Sequence, residues 1–325
     1  MKKNIAIIMG GYSNEYQISI KSGSVVKACL DSSKYNSYSI HIFEHKWVYV
    51  DEESNVFPVD KNDFSILVKN QKIVFDCVFN AIHGSPGEDG LMQAYFELLN
   101  IPHTSCGMYQ AALTFNKRDL LATLQPYGIK PATNYCLNLG DPIDENTIIN
   151  NVGLPCFVKA NKAGSSFGIT KVYKKKELNK AIDNAFKEDN EIIIESFLDG
   201  VEISVGVITF QGKVMVLPLT EIVSENDFFD YAAKFQGQSQ EITPARISEE
   251  LAQKVRKEAK RIYEILQLKG LSRSEFIFKN GEPHLLEVNT IPGLTEESIL
   301  PQQARAAGIS LSMLFENAIQ EAVGN

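Results

Sequence analysis

Lys159-Ala160-Asn161-Lys162-Ala163-Gly164-Ser165-Ser166-Phe167-Gly168 joins two stretches, 157–159 and 169–173, that read as the arms of a hairpin. Its small, polar, glycine-interrupted make-up leaves backbone N–H groups unobstructed and adds two hydroxyls, a combination suited to oxyanions. Lys159, on the entering strand, supplies charge. The same composition also describes a plain flexible turn. The rest of the chain decides between the two.

Residues 271–289 read as a second hairpin, with acid, amide and Arg set inside apolar strands. Glu287 and Asn289 are two apart on a strand and share a face. Whether Glu275 joins them depends on the turn. With Asn280-Gly281 as a two-residue loop, Lys279 pairs with Glu282, Glu275 aligns with Leu286, and the two carboxylates fall on opposite faces. With Lys279-Asn280-Gly281 as a three-residue loop, Arg273, Glu275, Glu287 and Asn289 gather into one hard-oxygen cluster with a cation at its edge. Such a cluster suits magnesium on a nucleotide's phosphates; an ordinary solvent face with cross-strand ion pairs is the competing reading. Beyond it, Pro292-Gly293 leads to Ser298 near a helix start, which can meet a carboxylate or simply cap the helix.

The whole chain has 325 residues, 44% hydrophobic and 22% charged. That composition excludes a disordered or low-complexity protein. A net charge of −8, with no basic run beyond Lys174-Lys175-Lys176, speaks against a nucleic-acid surface while permitting a local basic cleft. The five cysteines, Cys29, Cys77, Cys106, Cys136 and Cys156, are odd in number and lack a CxxC; they read as free, buried thiols of a reducing cytoplasm. The apolar stretch at 5–9 is too short for a signal peptide and reads as a first strand. No window approaches the ~18 apolar residues of a membrane span.

Residues 1–105 alternate strands (5–9, 37–43, 75–82, 103–105) with helices (19–30, 91–99), the pattern of a parallel sheet covered by helices. Ligands bind at loops following such strands. Two here are rich in glycine and acid: Gly10-Gly11-Tyr12-Ser13-Asn14-Glu15 and His83-Gly84-Ser85-Pro86-Gly87-Glu88-Asp89-Gly90. Residues 106–199 make a second unit, with helices at 107–124 and 178–186 and a strand at 192–194 leading into the hinge Glu195-Ser196-Phe197-Leu198-Asp199-Gly200. Residues 200–325 make a third, with a strand at 201–209, a long polar loop at 224–244, a helix at 249–268, the second hairpin, and helices after Glu297 and Ser310. The spacing at 206–214 fails as a P-loop and reads as a hairpin turn; Gly10-Gly11 lacks the other glycines of a dinucleotide fingerprint.

Taken in order, several motifs resemble the ATP-grasp family, and within it the D-alanine–D-alanine ligases, over essentially the whole chain. They are Gly10-Gly11 through Glu15 and Ser19, Ala81-Ile82-His83-Gly84 with Gly87-Glu88-Asp89-Gly90, Asn116-Lys117, and Val158-Lys159 with Gly164-Ser165-Ser166. Ile194-Glu195, Asp230-Tyr231-Ala232-Ala233-Lys234, and Leu286-Glu287-Val288-Asn289-Thr290 with Pro292-Gly293 complete the set. The resemblance implies an α/β fold, α+β in its ATP-binding part, with an N-terminal parallel-sheet domain ahead of a two-subdomain ATP-grasp fold. It further implies a cytoplasmic homodimer that uses ATP and two magnesium ions, or manganese, to join two D-alanine molecules through an acyl phosphate for peptidoglycan.

Residue roles follow from the same resemblance. Lys117 and Lys159 would hold the α- and β-phosphates, and the loop from Gly164, Ser166 included, would cover them. Glu195, Ser196 and Leu198 would read adenine, Glu202 the ribose, and Lys234 the γ-phosphate, while Glu275, Glu287 and Asn289 hold the metal ions. Glu15, beside Ser165, would take the first ammonium; Arg273 and the Gly293 N–H the tetrahedral oxyanion; Ser298 and Lys234 the second carboxylate. His83 is expected near this pocket, although a lone His at a strand end is more often structural. The loop 224–244 is expected to be mobile and to close in turnover. Three positions depart from the family pattern: Glu275 stands for Asp, Tyr16 for a basic residue, and Phe235 for Tyr. Phe235 leaves a D-alanine–D-lactate ligase as an alternative product class, and a non-catalytic nucleotide-binding regulator is the alternative outside enzymes.

Overall fold

The computed structural model describes residues 2–164, 168–224 and 239–324. Strand β1 (Lys3–Gly10) is apolar without alternation and fully buried from Ile5 to Met9, as a central parallel strand must be. It pairs in parallel with β2 (Tyr35–Phe43) and β7 (Cys77–Asn80), and the crossover helix α1 (Tyr16–Cys29) packs against it. Helix α2 (Leu91–Leu98) follows β7. The strand expected at 103–105 is a single parallel bridge, Val78 to His103.

Residues 46–73, to which the sequence reading assigns no element, extend this sheet as an antiparallel meander. Its strands are β3 (Lys46–Val50), β4 (Val56–Asp60), β5 (Ser65–Val68) and β6 (Gln71–Ile73), in the sheet order β6-β5-β4-β3-β2-β1-β7. Two things hide the meander. Val56 and Leu67 are apolar yet exposed, which blurs the alternation, and the turns use Ser54, Phe64, Lys69 and Asn70 at positive φ instead of glycine.

The helix expected at 107–124 is two, α3 (Met108–Phe115) and α4 (Lys117–Leu124). Asn116 breaks it: its backbone is extended, and its side-chain oxygen accepts from the Asp119 N–H at 3.0 Å, starting a fresh helix at Lys117. The second sheet runs β10-β9-β11-β8, with β8 (Asn134–Asn138), β9 (Cys156–Ala160), β10 (Thr170–Val172) and β11 (Glu191–Ser196) all antiparallel. Helices α5 (Glu145–Val152) and α6 (Leu178–Ala185) cover it. Neither β8 nor α5 is legible in sequence. β8 buries only Leu137, and α5 is built from Asn, Thr and Ile, weak helix formers held by the Asp144 cap.

The third sheet runs β15-β14-β12-β16-β17, with β13 on the edge of β12. Its strands are β12 (Glu202–Phe210), β13 (Lys213–Val216), β14 (Thr220–Ser224), β15 (Ser239–Ile242), β16 (Leu271–Lys279) and β17 (Glu282–Asn289). β15 corrects the expected loop 224–244, because residues 239–242 pair with β14; residues 225–238 lie outside the described part. Helix α7 (Glu249–Ile265) ends before the expected 268, where Gln267 turns left-handed. It packs Val255, Ala259 and Ile262 with Leu120 and Leu121 of α4 beneath β12 and β16. Helices α8 (Ile299–Ala306) and α9 (Leu311–Val323) return to the first sheet, where Phe315 meets Phe79 edge-on at 5.6 Å. All five cysteines are free; Cys136 is exposed on β8 because only alternate residues of that edge strand face the core, a correction to the expected burial. Among the described residues, no helix is long and apolar enough to cross a membrane.

The turn between β16 and β17 is the two-residue one. Asn280 and Gly281 have φ of 54° and 74°, and Lys279 pairs with Glu282. The ladder proceeds to Phe276 opposite Leu285 and then shifts register at a bulge, so that Glu275 faces Glu287 and Arg273 faces Asn289. Neither register considered from loop length alone is adopted. The extra residue keeps Phe276, Leu285 and Val288 in the core while bringing Arg273, Glu275, Glu287 and Asn289 onto one face. A Cβ at Gly281 would meet nothing within 4 Å. Gly281→Ala should therefore cost only the left-handed backbone, about 1–2 kcal/mol, seen as a lower urea midpoint at unchanged slope; an unchanged midpoint would contradict this turn.

Candidate active site

A cavity of about 770 Å³ opens where the three sheets meet. Glu15 and His83 reach it from loops following β1 and β7, the carboxyl ends at which parallel sheets hold ligands. Lys117 and Gly164 enter from the second sheet's side, and Glu241, Arg273, Glu287 and Asn289 from the third. Gly293 and Ser298 close it from the loop after β17. Lys159, Glu195, Ser196, Leu198, Glu202 and Glu275 do not line this cavity. Ser165, Ser166, Lys234 and Phe235 lie outside the described residues.

Glu15 ends the loop that starts α1. Its N–H donates to Ser13 Oγ at 3.2 Å, and Ser13 Oγ donates to the His83 carbonyl at 3.0 Å. The second unit touches it directly: a Cβ on Gly164 would stand 2.6 Å from Glu15 Oε2. A side chain at 164 would have to push the Glu15 carboxylate aside. Gly293 is held in the same way, since a Cβ there would stand 2.7 Å from Ser298 Oγ, which is itself 2.7 Å from Thr295 Oγ1. Ser298 is the cap residue of α8.

Each cation is confronted by acid. Lys117 Nζ, at the first residue of α4, donates to the Ala163 carbonyl at 2.8 Å and stands 3.4 Å from Glu287 Oε2. Asn161 aims it. Wholly buried, Asn161 bonds Asn116 Oδ1 (2.8 Å) and Glu191 Oε2 (2.9 Å) through its amide nitrogen and accepts from the Arg118 N–H (2.9 Å). Lys159 and Glu195 pair with each other at 2.6 Å. Burial pulls the Lys159 ammonium down, but Glu195, then Glu287 and Glu202, outweigh it and hold it above its ordinary value. Arg273 contacts Glu275 directly and donates to Ser204 Oγ at 3.3 Å; burial pulls it below its ordinary value against Glu287 and Glu241.

Glu275 Oε1 accepts from Ser204 Oγ at 3.3 Å, whereas Oε2 is buried with no hydrogen-bond partner. A buried carboxylate oxygen in that condition costs free energy unless a cation or donor meets it. Asn289 Oδ1 accepts from the Ile291 N–H at 2.8 Å and keeps a second lone pair. Two carboxylates and an amide oxygen on one strand pair are hard donors that fit magnesium. Among the described residues, no three His, Cys, Asp or Glu side chains gather into a metal cluster, so the amide is needed to complete the set.

His83 is both cavity wall and structural bond. Its Nδ1 stands 2.9 Å from the Ile291 carbonyl, which only an N–H can satisfy, so Nε2 accepts from Ser22 Oγ, also at 2.9 Å. Burial lowers its pKa, keeping it neutral. The sequence reading assigns no role to Glu88, Asn161, Ser204 or Glu241. Glu88 and Asn161 lie inside motifs it singles out; nothing in local composition marks the other two. Glu88 Oε2 accepts from the Gly84 N–H at 2.6 Å, and burial, with Glu15 nearby, raises its pKa to about 8. The folded state thus binds a proton that the unfolded chain releases near 4.5. Stability from this group is complete below pH 4.5 and falls as pH rises to about 8. Glu88→Gln should flatten that decline, measured as urea midpoints from pH 5 to 8.5; parallel curves would refute it.

Comparison with known proteins agrees over nearly the full length. Residues 4–106 match the family model described as D-ala D-ala ligase N-terminus, and residues 132–320 the one described as D-ala D-ala ligase C-terminus. The D-alanine–D-alanine ligase of Flavobacterium johnsoniae is 68% identical over 318 residues, covering 98% of each chain. Among solved structures, the VanG D-Ala:D-Ser ligase of Enterococcus faecalis is 31% identical with a TM-score of 0.85, covering 98% of this chain and 99% of that one. The D-alanine–D-alanine ligase of Bacillus anthracis complexed with ATP is 30% identical with a TM-score of 0.78, covering 99% and 97%. The chain belongs to the D-alanine–D-alanine ligase family.

Proposed function

We propose that the protein uses ATP and magnesium to join two D-alanine molecules through an acyl phosphate, making D-alanyl-D-alanine for peptidoglycan in the cytoplasm. The observation that carries this reading is one cavity walled by Glu15, Lys117, Arg273, Glu287, Asn289 and Ser298. Carboxylate activation followed by amine attack needs just these chemistries: an anchor for the first ammonium, cations for phosphates, and donors for an oxyanion.

Glu15 holds the first ammonium and leaves that amino acid's carboxylate to attack the γ-phosphorus with ADP as leaving group; attack of the second amine on the resulting acyl phosphate then expels inorganic phosphate. Lys117, with Lys159 and Lys234, neutralises the phosphates; Ser165 and Ser166 lie in the loop that covers them, and positioning plus charge is most of what phosphoryl transfer asks of a protein. Magnesium held by Glu275, Glu287 and Asn289 would add charge neutralisation there. Glu195, Ser196 and Leu198 take the adenine and Glu202 the ribose, with ATP between units 106–199 and 200–325 and unit 1–105 lending Glu15. Arg273 and the Gly293 N–H stabilise the oxyanion formed on amine attack, and Ser298, capping α8, takes the second carboxylate. We place two such chains in a homodimer. The ATP-complexed Bacillus anthracis relative supports the nucleotide.

Phosphate release should require ATP, magnesium and D-alanine, fail with L-alanine, and yield D-alanyl-D-alanine by mass. Nucleotide binding without phosphate release would replace this reading with a regulator; depsipeptide as the main product from equal D-alanine and D-lactate would replace it with the reading Phe235 suggests. Glu287→Gln should lower turnover at least about 10²–10³-fold. Unaltered turnover would overturn the metal assignment.

A further inference from the structure

A helix leaves its first N–H groups without partners inside the helix, and such groups attract anions. Helix α4 begins at Lys117, whose side chain lines the cavity, yet its end is already closed. The Asn116 side chain accepts from the Asp119 N–H at 3.0 Å. Asn161, the residue after β9, takes the two N–H groups before that one. Its carbonyl accepts from the Lys117 N–H at 3.5 Å and its Oδ1 from the Arg118 N–H at 2.9 Å. The helix end is therefore taken up by protein groups, and α4 meets the cavity through the Lys117 side chain.

The Asn161 amide is held in one orientation. Its nitrogen stands 2.8 Å from Asn116 Oδ1 and 2.9 Å from Glu191 Oε2, and both require a donor: Asn116 Oδ1 already accepts from Asp119, and an ionised carboxylate only accepts. Its oxygen faces an N–H, which requires an acceptor. Lys162 Nζ, 2.9 Å from the same Glu191 oxygen, holds that carboxyl below its ordinary pKa and so keeps it ionised. The Asn161 N–H donates to the Glu191 carbonyl at 3.0 Å. Every polar group of this wholly buried residue is thus engaged.

These bonds hold both ends of one contact. Two residues beyond Asn161, the Ala163 carbonyl accepts from Lys117 Nζ at 2.8 Å. Asn161 therefore fixes the backbone from which the lysine springs and also starts the short segment that carries its acceptor. A free lysine gives up rotamer freedom when it meets a ligand, whereas an ammonium fixed beforehand has little left to lose.

We propose that Asn161 is a positioning residue for the nucleotide's phosphates, acting through Lys117. The proposal rests on the reading of Lys117 as a phosphate ligand. A brace that served folding alone would act alike on every ligand of the cleft, a bare nucleoside included. One that acts through Lys117 discriminates by phosphate.

The test titrates ATP, ADP and adenosine calorimetrically, with magnesium and without D-alanine, into wild type, Asn161→Ala, Lys117→Met and the double variant, each checked as folded by its urea midpoint. Lys117→Met should weaken ADP and ATP about tenfold or more, the size of a lost hydrogen bond to a charged group. Asn161→Ala should weaken both at least about threefold, leave adenosine unchanged, and add nothing once Lys117 is gone. Unchanged ADP and ATP affinities, an equal loss for adenosine, or losses that add in the double variant would each overturn the proposal. Should Asn161→Ala not fold, Glu191→Ala, at a partly exposed position, removes one acceptor of the Asn161 amide and carries the same test. There too ADP and ATP should weaken against an unchanged adenosine, and affinities equal to wild type would count against the proposal in the same way. Lys117→Met binding ATP as tightly as wild type would remove the phosphate reading of Lys117, and this proposal with it.

Discussion

An antiparallel strand pair has two faces, and one inserted residue exchanges them. In β16 and β17 the two-residue turn sets a register that, carried through, would point Leu286 and Val288 toward the cavity and leave Glu287 and Asn289 toward the core. The bulge after Leu285 reverses this for the last residues of β17. Val288 joins Phe276 and Leu285 beneath α7, and Glu287 and Asn289 come round to Glu275 and Arg273. Both sides of the strand enforce the result. Burying Val288 gains roughly 1.5–3 kcal/mol, and burying an unpaired carboxylate in its stead would cost more than that. The slip is therefore closed to the folded chain, and the arrangement of acids, amide and Arg is a property of the core as much as of the cavity.

That arrangement places cations against acids before any ligand arrives. Lys117 stands by Glu287, Lys159 by Glu195, and Arg273 by Glu275. Buried pairs of this sort are weak sources of stability, because desolvating both ions offsets most of their attraction. On the proposed function their value lies in position: charges fixed by the fold would need no reorganisation when phosphates and a developing oxyanion appear. The orphaned Glu275 Oε2 belongs to the same account, a cost borne at a carboxylate oxygen where a hard cation would remove it. A net charge of −8 is compatible with all of this, since a total over the chain does not say which acids stand beside the cations that matter locally.

Much of this was legible in the chain, and the failures have physical causes. The parallel start of the fold follows from β1 being apolar on both faces. The turn at Asn280-Gly281 was legible only as one of two loop lengths, since both residues tolerate the left-handed backbone that either loop can use. The bulge was not legible, because it depends on which of Leu286 and Val288 the distant α7 can bury. The break at Asn116 was hidden because an Asn that caps and an Asn inside a helix look alike until the N–H it accepts from is known. The meander at 46–73 was missed because exposed Val56 and Leu67 blur the alternation of its strands and no glycine marks its turns. Glu241 escaped notice in a polar stretch, since its tether, Gln302, comes from a helix far along the chain.

No one sheet holds the site, so its geometry depends on bonds between them, and His83 shows what those bonds require. The ring joins the loop after β7 to the Ile291 carbonyl beyond β17 and to Ser22 of α1, while Ser22 Oγ accepts from the Leu294 N–H at 3.3 Å. With Nε2 as acceptor, each hydrogen in this chain has a place. Protonation would turn Nε2 into a donor toward an oxygen that already accepts from Leu294, and would strand the Ser22 hydroxyl hydrogen that Nε2 now receives. Burial lowers the pKa of His83, and the neutral ring is the form that keeps these three bonds together. A histidine held this way is a poor proton carrier and a good fastener between the loops after β7 and β17 and helix α1.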